Sequence, residues 1–176
     1  MNTPAIDLAG YVRDVPDFPR PGVVFKDITP MLADARALDA CIAALAQPFR
    51  GRRIDAVCAI ESRGFIFGAA LARDLGAGFV PMRKPRKLPA PTIGIEYALE
   101  YGSDRLEMHV DALAAGVRVV LVDDVVATGG TLLAARALIA QLGAELVGAA
   151  VVIELEFLGA RARWPTDVPL RALIRY

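Results

Sequence analysis

The chain has 176 residues, with 20 Lys plus Arg against 20 Asp plus Glu and so a formal net charge of zero; its pI is about 6.6 and its mean hydropathy +0.43. That length suits about one domain able to bury roughly 70 % of its unfolded surface, which excludes a need for disulfides or a structural metal. Neutrality excludes a global field for nucleic acid or an anionic membrane, and the longest uncharged aliphatic stretch, 146–153, is far short of the roughly 18–20 residues of a membrane span.

Thr3-Pro4 can cap and start a short helix running to about Arg13. The first ten residues carry no basic n-region or apolar h-region, so no signal peptide is expected. Three prolines, Pro16, Pro19 and Pro21, then impose an extended arm or loop. Asp34 can cap a helix in which Leu38, Cys41, Ile42 and Leu45 form one apolar stripe, ended by Pro48 and Gly51. Residues 55–60 read as a buried strand, 65–75 as a helix closed by Gly76, and 79–82 as a strand. Pro85, Pro89, Pro91 and Gly94 predict a loop over 83–96, followed by a strand over 105–110. The β-branched run 117–122 is the clearest strand, with a helix from Gly130 to just before Gly143 and strands over 146–153 and 170–175. Apolar strands alternating with helices predict an α/β fold with a doubly wound, mainly parallel sheet. Ligands of such sheets bind beyond the carboxyl ends of the strands. Cys41 and Cys58 lack a CxxC or Cys/His ligand set; they and lone His109 read as structural, the thiols reduced in a cytoplasmic protein.

The most informative segment is 119–131, VVLVDDVVATGGT. A strand ends in Asp123-Asp124, and a Gly-rich turn then opens a helix. Gly129 and Gly130 let backbone approach a ligand, helix-start N–H groups point at an anion, and Thr128 and Thr131 add hydroxyls. Neither a Walker A loop nor a dinucleotide fingerprint is present. The carboxylates would repel the same phosphate, so they suit a sugar diol or a divalent cation bridging to further phosphate.

This segment resembles the ribose-5-phosphate loop of the type I phosphoribosyltransferases. The resemblance implies that Asp123 and Asp124 take the ribose hydroxyls of phosphoribosyl pyrophosphate and that Ala127, Thr128, Gly129, Gly130 and Thr131 hold its 5-phosphate. Glu61-Ser62-Arg63-Gly64, after a strand and before a helix, is similar to that family's pyrophosphate loop and implies a non-proline cis peptide at Glu61-Ser62. Its helix-start amides, the Ser62 hydroxyl and the Arg63 fork suit an anion in their own right.

Two further segments resemble the adenine branch of the family. Residues 15–30, VPDFPRPGVVFKDITP, look like its N-terminal arm, with Val24, Phe25 and Lys26 meeting the base. Phe25 can stack on a purine or fill a core, and Lys26 stands where the family usually has Arg. Arg83-Lys84-Pro85-Arg86-Lys87 followed by Tyr97-Ala98-Leu99-Glu100-Tyr101-Gly102 resembles the family's flexible hood loop. By that resemblance Arg83, Lys84, Lys87 and Tyr101 join the pyrophosphate site, one loop residue reaches across a homodimer, and Glu100 protonates the purine. Gly94 and Ile95 depart from the Ser and Glu common there. The implied whole is one phosphoribosyltransferase domain over 1–176, with an arm at about 1–30 and a catalytic loop at about 83–102. It would convert adenine and phosphoribosyl pyrophosphate to AMP and pyrophosphate with Mg²⁺. Another purine base, or binding without turnover, are the rival readings. The zero net charge then conceals a segregation: four cations at 83–87 against the two carboxylates at 123–124.

Overall fold

The computed structural model describes residues 6–98 and 103–176. Its centre is a five-stranded parallel sheet of β3 (Ala56–Ile60), β4 (Gly78–Met82), β7 (Arg118–Val126), β8 (Glu145–Glu154) and β9 (Leu170–Arg175), in the order β4-β3-β7-β8-β9. Two further pairs are antiparallel: β1 (Arg13–Val15) with β2 (Phe25–Asp27), and β5 (Thr92–Ala98) with β6 (Ser103–His109). The α-helices are α1 (Thr29–Ala33), α2 (Ala35–Ala46), α3 (Gly64–Leu75), α4 (Gly130–Gln141) and α5 (Ala160–Arg163).

Both faces of the sheet are covered, which is why its strands are apolar runs. Val119 and Leu121 pack with α4 and the β5–β6 pair, while Val120 and Val122 pack with α2 and α3. Cys41 and Cys58 are buried and unbridged, and burial pushes both thiols up to about 12. His109 Nε2 accepts the Ala90 N–H at 3.4 Å, a structural role. No helix among the described residues is long and apolar enough to cross a membrane.

Asp34 caps α2, accepting from the N–H groups of Arg36 and Ala37, and Gly76 ends α3 with φ 65°. Three elements differ from the sequence reading. Thr3 and Pro4 lie outside the described residues, and after them only a 3₁₀ turn, Leu8–Tyr11, forms under the Asp7 cap; Arg13 already belongs to β1. The expected loop over 83–96 becomes β5 from Thr92 onward, because its polar and apolar residues alternate opposite β6. Finally, β7 does not end before Asp123. Pairing with β8 continues through Val125↔Ile153 and Val126↔Glu154, so the acidic pair lies inside the strand.

Candidate active site

The chain leaves β3 for β4 on one side of the sheet and returns to β7 on the other. The carboxyl ends of β3 and β7 therefore flank the switch in strand order, where α/β sheets bind ligands. A cleft of about 630 Å³ opens there. Glu61, Ser62 and Arg63 line it from β3, Asp123 and Asp124 from β7, Ala127, Thr128, Gly129, Gly130 and Thr131 from the turn, and Lys84 from beyond β4. Sixty residues of sequence separate the first group from the second, and the parallel β3–β7 pairing joins them.

The β3 side turns sharply. Glu61-Ser62 is cis, as the resemblance implied. Gly64 then opens α3 hard against β7: a methyl there would lie 2.9 Å from Asp123 Oδ1 and 3.2 Å from the Val122 carbonyl oxygen. Glycine is required for that approach.

Asp123 and Asp124 are 8 % and 6 % exposed. The Asp124 N–H donates to Asp123 Oδ1 at 2.9 Å, and Arg63 Nε lies 2.6 Å from Asp124 Oδ2. Burial, then the charge of Asp124, raises the Asp123 pKa well above the usual carboxylate range. One carboxylate is thus balanced by a guanidinium, and its neighbour favours holding a proton. Gly129 follows with φ 84° and stands just before α4, whose start carries no side-chain cap. The turn's amides and the Thr128 and Thr131 hydroxyls suit a phosphate.

The cationic side is built differently. Arg83 joins β6 through two backbone hydrogen bonds with Glu107, and its Nε donates to Glu61 Oε2 at 2.7 Å. Lys84 Nζ lies 3.0 Å from Asp104 Oδ2, and this hydrogen bond raises the Lys84 pKa. Burial opposes ionisation of Asp104, but Lys84 and the Arg105 N–H hold its pKa below the ordinary value. Lys87 is exposed, its carbonyl accepting from Arg83 Nη1 at 3.3 Å. Neither Arg83 nor Lys87 lines the cleft; Arg83 reaches it through the lining residue Glu61. Glu100 and Tyr101 lie outside the described residues.

Asp104 and Tyr97 line the cleft unforeseen as site residues, with an apolar wall from Ile60, Leu106, Val126 and Leu132. The Tyr97 hydroxyl donates to Asp104 Oδ2 at 3.4 Å. The signal for Asp104 was the alternation of its own strand. Leu106 and Met108 are buried, and two residues back on that face is Asp104.

Val24, Phe25 and Lys26 do not line the cleft, and of the three Phe25 meets a lining residue, Arg63. Phe25 meets Phe18 edge-on at 5.2 Å, and the Arg63 guanidinium sits 5.0 Å from the Phe25 ring centroid. The Lys26 ammonium is committed elsewhere, 2.7 Å from Asp14 Oδ1 and 3.7 Å from the Tyr176 ring centroid. Val24 is 49 % exposed. Among the described residues no three His, Cys, Asp or Glu side chains converge as a metal site.

Comparison with known proteins agrees with this geometry. Residues 29–164 match the phosphoribosyl transferase domain family. The adenine phosphoribosyltransferase of Xanthomonas campestris pv. campestris is 59 % identical over 168 residues, 96 % of this chain and 90 % of that protein. The crystal structure of the Rhodothermus marinus adenine phosphoribosyltransferase superposes with a TM-score of 0.92 at 50 % identity, covering 96 % of each chain. That of Saccharomyces cerevisiae, complexed with adenine and an imino-altritol bisphosphate, superposes with a TM-score of 0.89 at 39 % identity over 94 % of this chain and 96 % of that one. The chain belongs to the phosphoribosyltransferase family and, within it, to the adenine phosphoribosyltransferases.

Proposed function

We propose that the chain transfers the 5-phosphoribosyl group of phosphoribosyl pyrophosphate to adenine, giving AMP and pyrophosphate in purine salvage. The observation that carries this reading is the position of Arg63. Its guanidinium touches both the Phe25 ring and the Asp124 carboxylate, so the base arm, the pyrophosphate loop and the ribose pair meet at one side chain. The yeast relative with adenine bound supports a purine as the acceptor.

In this reading the turn 127–131 takes the 5-phosphate, and Asp123 and Asp124 accept hydrogen bonds from the ribose hydroxyls. Ser62, Arg63, Arg83, Lys84, Lys87 and Tyr101 take the pyrophosphate, with Glu61 holding Arg83 in place. The leaving group is highly anionic, so a cation clamp lowers the barrier as the C1–O bond lengthens and the ribose gains oxocarbenium character. Mg²⁺ entering on the substrate neutralises pyrophosphate oxygens. Adenine is held by Phe25 and by the backbone of Val24 and Lys26. With its ammonium bound to Asp14, Lys26 serves through backbone, and the departure from arginine is tolerated. Glu100 donates a proton to the purine as charge builds on it. The arm and the 83–102 segment form the hood of a single domain in a cytoplasmic homodimer, with one loop residue reaching the partner site.

The test is pyrophosphate release from phosphoribosyl pyrophosphate with adenine, hypoxanthine, guanine or xanthine, with and without Mg²⁺. Release with adenine alone, dependent on Mg²⁺ and matched by AMP, is expected. Release only with another purine would reassign the base, and binding without turnover would make the chain a ligand sensor.

A further inference from the structure

Behind the phosphate turn lies a buried carboxylate that the proposed reaction does not use. Glu154 ends β8 and is 1 % exposed. Arg161 of α5 grips it with Nη2 at 2.7 Å and Nε at 3.0 Å, both on Oε2, while its Nη1 donates to the Leu170 carbonyl at 3.0 Å. Arg175 Nε stands 3.6 Å from the same Oε2. These bonds tie α5 to the ends of β8 and β9.

The helix so held backs the turn. A methyl added at Gly129 would lie 3.3 Å from Ala160 Cβ, and Arg163 Nη1 donates to the Thr128 carbonyl at 3.3 Å. From the strand side, Glu154 is in register with Val126, the residue before the turn, and the Leu155 N–H donates to the Val126 carbonyl at 2.9 Å. One residue therefore joins the two: the backbone of Glu154 lies in register beside the strand that delivers the turn, and its carboxylate holds the helix behind it. Four residues have no helical stability of their own, so α5 keeps its place through tertiary bonds. An apolar contact at Ala160 fixes a distance, whereas a two-nitrogen fork on one oxygen also fixes an orientation.

We propose that Glu154 and Arg161 are positioning residues for the phosphate turn: their ion pair holds α5 against Gly129 and so sets the turn's affinity for the 5-phosphate end of the substrate. This rests on the reading of residues 127–131 as the 5-phosphate seat. It concerns the turn alone, so the two ends of the substrate should respond differently.

The experiment titrates the full chain, Glu154→Gln, Arg161→Lys and Arg163→Ala separately with ribose 5-phosphate and with pyrophosphate, alongside KM and kcat for phosphoribosyl pyrophosphate. Glu154→Gln should weaken ribose 5-phosphate by about tenfold to a hundredfold, the scale of a small misplacement of binding groups. Pyrophosphate should bind within about twofold of wild type, and KM should rise more than kcat falls. Arg161→Lys keeps the charge and loses the fork, so it should fall between, and Arg163→Ala should lose the least. Should Glu154→Gln fail to fold, the other two variants carry the same contrast. Equal losses for both ligands, or unchanged ribose 5-phosphate binding in folded variants, would overturn the positioning role alone. A wild-type chain that binds no ribose 5-phosphate would overturn the reading of the turn as well.

Discussion

The two sides of the cleft are built by opposite strategies. The carboxylate side is one contiguous run, in which β7 carries Asp123 and Asp124 straight into the Gly129 turn and α4. Backbone geometry and burial fix it. The cationic side is assembled from residues far apart in the chain, and three of its charges are held by carboxylates: Arg63 by Asp124, Arg83 by Glu61 and Lys84 by Asp104. Two of the four cations at 83–87, Arg83 and Lys84, are thus already paired. Phosphate must compete with carboxylates for Arg63, Arg83 and Lys84, whereas the turn offers backbone amides. In the proposed reaction the first side would set where the sugar sits, and the second how strongly the leaving group is pulled.

That contrast ranks the consequences of mutation. Asp124→Asn removes both a ribose partner and the counter-charge of Arg63, and AMP formation should fall by about 10²–10³-fold in kcat/KM. Lys87→Ala should cost about 10²-fold, with the loss growing at low ionic strength, where the exposed charge matters most. If each substitution left AMP formation unchanged, the assignment of both sides would fail.

Asp123→Asn separates stability from activity. Folding raises the Asp123 pKa, so over a range above the usual carboxylate value the folded chain holds a proton that the unfolded chain has lost. Stability contributed by that proton is present at low pH and is lost as pH rises through the raised pKa. The asparagine, neutral throughout, should raise Tm at neutral pH by about 2–4 °C for each kcal/mol relieved, the gain vanishing toward pH 4. A lowered Tm in calorimetry at neutral pH would contradict the electrostatics described for the pair.

The smallest effect is expected at Asp104. Lys84 is more than half exposed, and such pairs are worth about 0.2–1 kcal/mol. Asp104→Asn should therefore release Lys84 and tighten pyrophosphate by at most about fivefold. A weaker complex, read by titration, would give Asp104 a direct role in the site.

The same contrast decides what was legible in the sequence. The turn could be read because its chemistry is local: two adjacent carboxylates, two glycines and a helix start within a dozen residues. The parallel sheet was legible from uninterrupted apolar strands such as 117–122. The length of β7 was not, since Asp123 and Asp124 look like a strand end until the β8 partners of Val125 and Val126 are known. The ion pairs of Arg83 and Lys84 depend on Glu61 and Asp104, about twenty residues away in either direction, and no local pattern fixes them. Prolines and Gly94 concealed β5 because they suggest a loop, while pairing with β6 decides its conformation. At Gly94 the partner strand also explains the glycine: a methyl there would lie 2.5 Å from the Arg105 guanidinium.

The central claim is that the two sides grip opposite ends of one molecule, and a crossed titration tests it most directly. Ribose 5-phosphate and pyrophosphate are titrated separately into wild type, Gly129→Val and Lys87→Ala. Valine at φ 84° both strains the turn and crowds Ala160, so Gly129→Val should lose ribose 5-phosphate and keep pyrophosphate. Lys87→Ala should do the reverse. Parallel losses of both ligands in both variants would contradict the division of labour between the turn and the cations.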